Sequence, residues 1–388
     1  MQIIFWVSVA IILYTYIGYG LLLYVILKIK ALVKGKKKNP APGYAPSLTF
    51  IVAAYNEAYC IEEKILNTLA LNYPADKINY IFVTDGSTDA TPDIIAKYPQ
   101  IKGMHQSGRS GKIAAVHRAM EQVQSEVVVF TDANTMLNKD ALLMMCRHYI
   151  DPKVGAIAGE KRVQIDETAD ATAGEGFYWK YESKLKKWDS ELYSVVGAAG
   201  ELFSIRTHLY TPVEPDTILD DFMISMHIAL QGYRIVYEPD AYASELASAN
   251  TGEELKRKIR IAAGGVQSTI RLKSLLWPFS QPVLSFEYIS HRILRWMVTP
   301  YMMLLAFVLN CLIVYINGWY NIYGLMMAGQ LFFYLAAILG WILEQRQLKV
   351  KIFFIPYYFC LMNYAVIAGL LRYCFTEQSV LWEKAKRK

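Results

Sequence analysis

The chain has no metal-type cysteine spacing. Its five cysteines (Cys60, Cys146, Cys311, Cys360, Cys374) include no CxxC pair, and no histidine stands at ligand spacing from any of them. That sets aside both a structural zinc and a disulfide framework. Charge is scarce as well, 19% of residues against 54% hydrophobic, which is more apolar than an ordinary soluble domain. Two nucleotide-binding signatures are missing. No GxGxxG follows a strand, which removes a dinucleotide fingerprint. SGRSGK around Lys112 looks like a P-loop, but Gln106 and Ile113 stand where that motif needs glycine and a hydroxyl residue. No aromatic-interleaved basic stripe or helix-turn-helix pattern is found, so nucleic acid is not an expected partner.

What the chain does have in excess sits at its two ends. Ile3–Leu27 is an apolar, uncharged run of about 25 residues, long enough to span a bilayer. A cleaved signal peptide would open with basic residues and have a shorter core. Here six lysines between Lys28 and Lys38 follow the run, so the positive-inside rule places Lys28 onward in the cytoplasm. Near the other end, Met297–Ile316 and Gly324–Leu343 read as two further spans joined by NGWYN. Ile352–Leu371 is long enough to cross but carries Pro356 and Asn363. A crossing would also strand the basic tail (Lys384, Lys386, Arg387, Lys388) outside, so this segment is expected to re-enter or lie in the interface. Ser268–Phe286 mixes basic, aromatic and proline residues, as an interfacial helix does.

Between the ends lies an α/β pattern. Asn39–Pro46 (NPAPGYAP) is a proline-rich linker. LTFIVAAYNE, INYIFVTDGSTD and VVVFTDAN are apolar strands with polar or acidic tips, and Ala58–Leu71 and Gly111–Gln124 are helical segments between them. Such strands, buried on both faces of a parallel sheet, present ligand-binding groups beyond their carboxyl ends. Asp132 and Asn134 on the third tip suit a hard divalent cation beside a phosphate-bearing ligand. Cys60 and Cys146, in this middle region, fit a reducing compartment.

The series AAYNE, Asp85–Gly86, Gly111–Lys112, Asp132–Asn134 and Asp220–Asp221 resembles the family 2 glycosyltransferases of GT-A fold. Within them it is most similar to the membrane-integrated branch that includes cellulose, chitin, hyaluronan and poly-N-acetylglucosamine synthases. The resemblance covers roughly residues 47–270 and the flanking spans. It implies a Rossmann-like α/β domain in the cytosol, carried on transmembrane and interfacial helices. A nucleotide-diphosphate sugar, usually a UDP-sugar, would be the donor, with Mg²⁺ or Mn²⁺ as cofactor.

By that resemblance Tyr55, Asn56, Glu57 and Asp85 line the uridine and ribose pocket. Lys112 lies near the nucleotide, and Asp132 and Asn134 hold the metal. Asn134 departs from the second Asp of the family's DxD motif; its amide oxygen ligates without neutralising charge. FYWKYE and GAAGELFSIR shape the acceptor side, with Tyr178, Trp179, Gly200 and Glu201 as contacts. Asp221 is the general base and Asp220 its acidic neighbour, whose like charge raises a carboxyl pKa. Arg257 and Arg260 match the family's (Q/R)xxRW motif and suit the diphosphate leaving group. Ile261 stands in place of the tryptophan, the residue that the family's processive members use for acceptor stacking.

The expected organisation is a transmembrane helix over 1–30, a GT-A domain over 47–267, and an interfacial helix, two to three spans and a basic tail over 268–388. The expected activity is inverting transfer of a sugar to a growing polysaccharide at the plasma or inner membrane. With so few spans, self-association or an export partner would complete a channel. Single transfer to a lipid-linked acceptor is the alternative. A catalytically silent nucleotide-sugar or glycan binder is the rival of another class, which the carboxylates and arginines disfavour. A transporter is disfavoured because the spans carry few charges and no repeat symmetry.

Overall fold

A computed structural model describes residues 1–35, 40, 43–164, 172–246, 251–346, 348 and 350–375. Asn39, Ala41 and Pro42 of the expected linker and the basic tail lie outside the described residues, as do the side chains of 172–179. The chain divides into two compact units. One comprises Met1–Lys28, Ile165–Leu185 and Asn250–Glu377; the other comprises Ile29–Gln164, Lys186–Ala249 and Gln378–Lys388.

In chain order, α1 (Gln2–Leu13) runs through a wider turn at Tyr14–Gly18 into α2 (Tyr19–Lys34). Then come β1 (Leu48–Ala54), α3 (Ile61–Leu69), β2 (Ile78–Asp85), α4 (Thr91–Ala96), β3 (Ile101–Gln106), α5 (Lys112–Met120), β4 (Val127–Asp132) and β5 (Met136–Leu137). After them are α6 (Ala141–Cys146), β6 (Val154–Gln164), α7 (Thr172–Leu192), β7 (Phe203–Arg206), α8 (Asp220–Leu230) and β8 (Arg234–Leu246). The rest is helical: α9 (Thr251–Arg271), α10 (Pro282–Tyr288), α11 (Thr299–Asn317), α12 (Ile322–Gln345) and α13 (Lys351–Phe375).

The sheet unit is one eight-stranded sheet of order β3-β2-β1-β4-β7-β6-β8-β5. All seven residues of β1 are buried, and so are five of the six in β4, because helices cover both faces of these central strands. One face packs Leu48, Phe50 and Val52 against Ile61 and Ile65 of α3. Burying side chains of this size stabilises by ~1.5–3 kcal/mol each before chain entropy is charged against it. Register then places the chemistry. Ala53 pairs with Val83 on one side and with Asp132 on the other, so the tips of β2, β1 and β4 end level. β7 runs antiparallel to β4, with Phe130 opposite Phe203 and their rings stacked at 4.7 Å. That reversal brings the Gly200–Leu202 turn to the same edge.

Among the described residues four helices are long and apolar enough to cross a membrane: Gln2–Val33, Pro282–Asn317, Ile322–Gln345 and Lys351–Phe375. Phe5 of α1 packs on Ala306, Leu309 and Ile313 of α11. Tyr16 Oη donates to Asn363 Oδ1 at 3.0 Å, and Tyr181 Oη donates to the Tyr16 carbonyl at 2.7 Å. Glu182 of α7 is buried among His291, Arg292 and Arg295, at 3.2, 3.0 and 2.7 Å. Their positive charges hold its carboxyl well below the usual range although burial acts the other way.

Two expectations change. Lys351–Phe375 is an unbroken helix with Pro356 inside it, so the segment contains no turn for re-entry. Ser268–Phe286 is not one helix: α9 ends at Arg271, a short turn and loop follow, and α10 starts at Pro282. Proline at the start of α10 fits a helix N-terminus, not an interior. By contact, 165–185 and the whole of α9 group with the helical unit.

Candidate active site

Lys112 is the first residue of α5 and projects between three aspartates. Its Nζ lies 2.9 Å from Asp132 Oδ1 and 3.7 Å from Asp220 Oδ2. Burial alone would lower the ammonium pKa, but Asp132, Asp220 and Asp221 outweigh it and raise it, so Lys112 stays charged at any physiological pH. Gly111, at φ +98°, turns the chain into this helix in the left-handed region that glycine tolerates.

Asp220 and Asp221 open α8, where Leu219 is the N-cap and no side chain caps the helix. Burial and the Asp220 charge push the Asp221 carboxyl up to about 7, against the pull of Lys112. Gly200 faces both groups: a Cβ there would stand 3.3 Å from Asp221 Oδ2 and 3.5 Å from Lys112 Nζ. Gly197, at φ +81°, has no room for a Cβ against the Phe222 ring. The GAAGE turn is thus moulded onto the start of α8.

A cleft next to this cluster is lined by Ala53, Ala54, Tyr55, Asp85, Arg109, Gly111 and Lys112. Asp85 is 4% exposed; its Oδ2 accepts from the Ser110 and Gly111 amides at 2.8 and 2.6 Å. Its Oδ1 accepts no hydrogen bond, although Arg118 stands 3.8 Å away. An oriented, buried acceptor of this kind suits a ribose or base donor. A second cleft, lined by Ile51, Lys112, Phe130, Gly200, Phe203 and Asp220, shares Lys112 with the first.

Tyr55, Asp85, Lys112, Asp132, Gly200, Asp220 and Asp221 therefore gather at one end of the sheet. Asn56 and Glu57 do not line the cleft. Asn56, at φ +52°, accepts from the Thr88 amide through Oδ1 and donates from its own amide to Ser87 Oγ, tying two strand tips together. Glu57 is 1% exposed and accepts from Cys60 Sγ. Glu201 is ion-paired with Lys161, which also meets Glu245. Arg257 and Arg260 lie on α9 in the helical unit, where Arg257 grips Glu254 through two 3.0 Å bonds. Tyr178 and Trp179 fall on α7, with side chains outside the described residues.

Among the described residues no cluster of three or more His, Cys, Asp or Glu side chains is arranged for a metal. Asp132 and Asn134 are the oxygens that the sequence resemblance assigns to a cation. Asn134 Oδ1 is buried and accepts no hydrogen bond, which suits a cation ligand. Magnesium-like ions fit such a site, since one or two protein oxygens suffice when phosphates and water complete the shell.

Arg109 escaped the sequence reading. Its guanidinium lies 3.9 Å over the Tyr55 ring, at the mouth of the first cleft. The signal was the SGRSGK stretch itself, examined above only as a failed P-loop.

Residues 49–210 match the family described as Glycosyl transferase family 2. A poly-beta-1,6-N-acetyl-D-glucosamine synthase of Staphylococcus aureus is 29% identical over 231 residues, 58% of this chain and 56% of the relative. The synthase of the same name from Staphylococcus epidermidis is 27% identical over 279 residues, 68% of this chain and 66% of the relative. The chain thus spans little more than half the length of the first of these relatives. Among solved structures, the mannosyltransferase PcManGT of Pyrobaculum calidifontis, in complex with GDP-Man and Mn²⁺, superposes with a TM-score of 0.73. The alignment has 24% identity and covers 96% of this chain and 99% of that one. The shared fold is the GT-A type, a mixed sheet flanked by helices, here with four membrane-capable helices.

Proposed function

The chain carries a family 2 glycosyltransferase domain, and we propose that the whole protein is an inverting membrane glycosyltransferase extending a polysaccharide from a nucleotide-diphosphate sugar. The observation that carries this reading is the cluster in which Lys112 joins Asp132 to Asp220, beside Asp221 and the bare backbone of Gly200. Asp85 and Tyr55 would hold the nucleoside, and Lys112 the diphosphate. Asp132 and Asn134 would hold Mg²⁺ or Mn²⁺, which when bound neutralises diphosphate charge. Gly200 leaves space for the acceptor sugar to approach Asp221.

The reaction this supports is a single displacement. An acceptor hydroxyl attacks the anomeric carbon, the bond to the diphosphate oxygen breaks, and the hydroxyl proton passes to Asp221. The nucleoside diphosphate leaves, and the anomeric centre inverts. A carboxyl that ionises at about 7 is a competent base at neutral pH. Arg257 and Arg260 are proposed for the leaving group, and Tyr178, Trp179 and Glu201 for the acceptor side. The catalytic domain would face the cytoplasm, where nucleotide sugars are made, and self-association or an export partner would carry a polymer across.

A UDP-sugar is the proposed donor, as the family resemblance implies; a GDP-sugar follows instead if the donor chemistry is that of PcManGT, solved with GDP-Man. Ile261, in place of a stacking tryptophan, favours one second reading: a single transfer onto a lipid-linked acceptor. Release of nucleoside diphosphate from a panel of UDP- and GDP-sugars by the full chain in lipid tests the proposal, and sizing the product separates polymer from single transfer. Tight nucleotide binding without turnover of any donor supports the silent-binder reading instead.

A further inference from the structure

Lys64 sits on α3, one residue before Ile65, and its side chain is fully buried inside the sheet unit. Lysine is almost never buried to this degree without a paired charge. Among the described residues no carboxylate is ion-paired with it. Its Nζ donates instead to Thr131 Oγ1 at 3.0 Å and to the Thr135 carbonyl at 2.6 Å, and lies 5.7 Å over the Phe50 ring. Burial pushes the ammonium down to about 7, while Asp132 and Cys60 pull the other way.

The two groups it holds bracket Asp132 and Asn134. Thr131 Oγ1 in turn donates to the Glu201 carbonyl at 2.8 Å, and Thr135 Oγ1 lies 3.0 Å from Thr131 Oγ1. One buried ammonium therefore fastens both ends of the cation loop. Through the Thr131 hydroxyl, with Thr135 Oγ1 a longer 3.4 Å from the same Glu201 carbonyl, it also fastens the turn that presents Gly200 to Asp221.

We propose that Lys64 is a positioning residue for the transfer, a clamp that locks the Asp132–Asn134 loop to the Gly200–Glu201 turn so that the donor and acceptor sides of the site hold one geometry. This rests on the transferase reading for its consequence in turnover, but the clamp itself has a readout without turnover. Misplacing reacting groups by about 1 Å is enough to cost on the order of a hundredfold in rate.

The test uses the full chain in lipid with Lys64→Met, Thr131→Val and Thr131→Ser. Amide hydrogen exchange is followed at 131–136 and 199–203, with the tip of β2 at 84–88 as internal reference. Lys64→Met and Thr131→Val are expected to lose protection at both segments together, by about tenfold or more, with the reference unchanged. Thr131→Ser, which keeps the hydroxyl, is expected to recover most of the loss seen with Val. With a donor in hand, kcat is expected to fall more than the donor KM rises, by at least about tenfold. Exchange that changes at only one segment, or at neither, overturns the clamp. So does a lowered melting temperature with kcat within about twofold of wild type. If Lys64→Met does not fold, Thr131→Val decides. If the wild type turns over no donor, the transferase reading fails and exchange alone judges the clamp.

Discussion

Lys112 and Asp132 form a 2.9 Å ion pair at the point where the two clefts meet. The pair keeps a positive charge next to the oxygen that would face a cation, so the diphosphate of a donor has a partner waiting as soon as it arrives. Lys112→Met is expected to weaken nucleoside diphosphate binding by ~1.5–3 kcal/mol, the size of a charge-assisted hydrogen bond. Because Lys112 also lowers the Asp221 pKa, the same variant should move the acid limb of the rate profile to higher pH. Calorimetric titration with UDP and GDP checks the first effect, and pH–rate measurements check the second.

The Asp221 carboxyl ionises at about 7 in the folded chain instead of at 3.8, through burial and the charge of Asp220. kcat/KM should therefore rise with pH through about 7 with unit slope. Stability should move the opposite way. Between those two values the folded state holds the proton more tightly than the unfolded chain, so this contribution is full below pH 3.8 and is lost as pH rises towards 7. Asp221→Asn should then stabilise the protein at pH 8, by about 1–2 kcal/mol after screening is allowed for, and have little effect below about pH 4. Thermal melts of both proteins across that range give the answer.

Gly197→Ala should destabilise the sheet unit by about 2–4 kcal/mol, because the position is left-handed and a methyl group would collide with the Phe222 ring. Since Phe222 follows Asp221, activity should fall further than the melting shift accounts for. Measuring kcat well below the melting transition separates the two effects.

Asn134→Asp should tighten cation binding. Asn134 Oδ1 is buried without a hydrogen-bond donor, and a second carboxylate there adds charge where the amide supplies only a dipole. The half-activating concentration of Mn²⁺ or Mg²⁺ is expected to drop by about tenfold or more. An unchanged or higher value would mean that Asn134 does not touch the ion.

The central strands were legible because β1 and β4 carry nearly unbroken apolar runs, the pattern of a strand covered on both faces. The acidic tips were legible for the same reason, since each follows such a run directly. β3 was not: IKGMHQ is an edge strand with four of its six residues exposed, and it carries no apolar signature. The resemblance assigns Asn56 and Glu57 to the nucleoside pocket, whereas the left-handed backbone at Asn56 sets its side chain to brace β1 against the loop after β2. Lys64 was invisible for a simpler reason. A lysine in an amphipathic helix ordinarily faces water, and only tertiary packing reveals that this one faces Thr131.

The most direct test is donor turnover by Asp221→Asn, measured beside the wild type with the donor that the panel identifies. The account predicts a fall of about 10²–10⁴ in kcat, with nucleoside diphosphate binding intact and the melting temperature at pH 8 no lower than that of the wild type. Turnover within about tenfold of the wild type would mean that another group takes the acceptor proton, and the mechanism assigned to this site would be wrong.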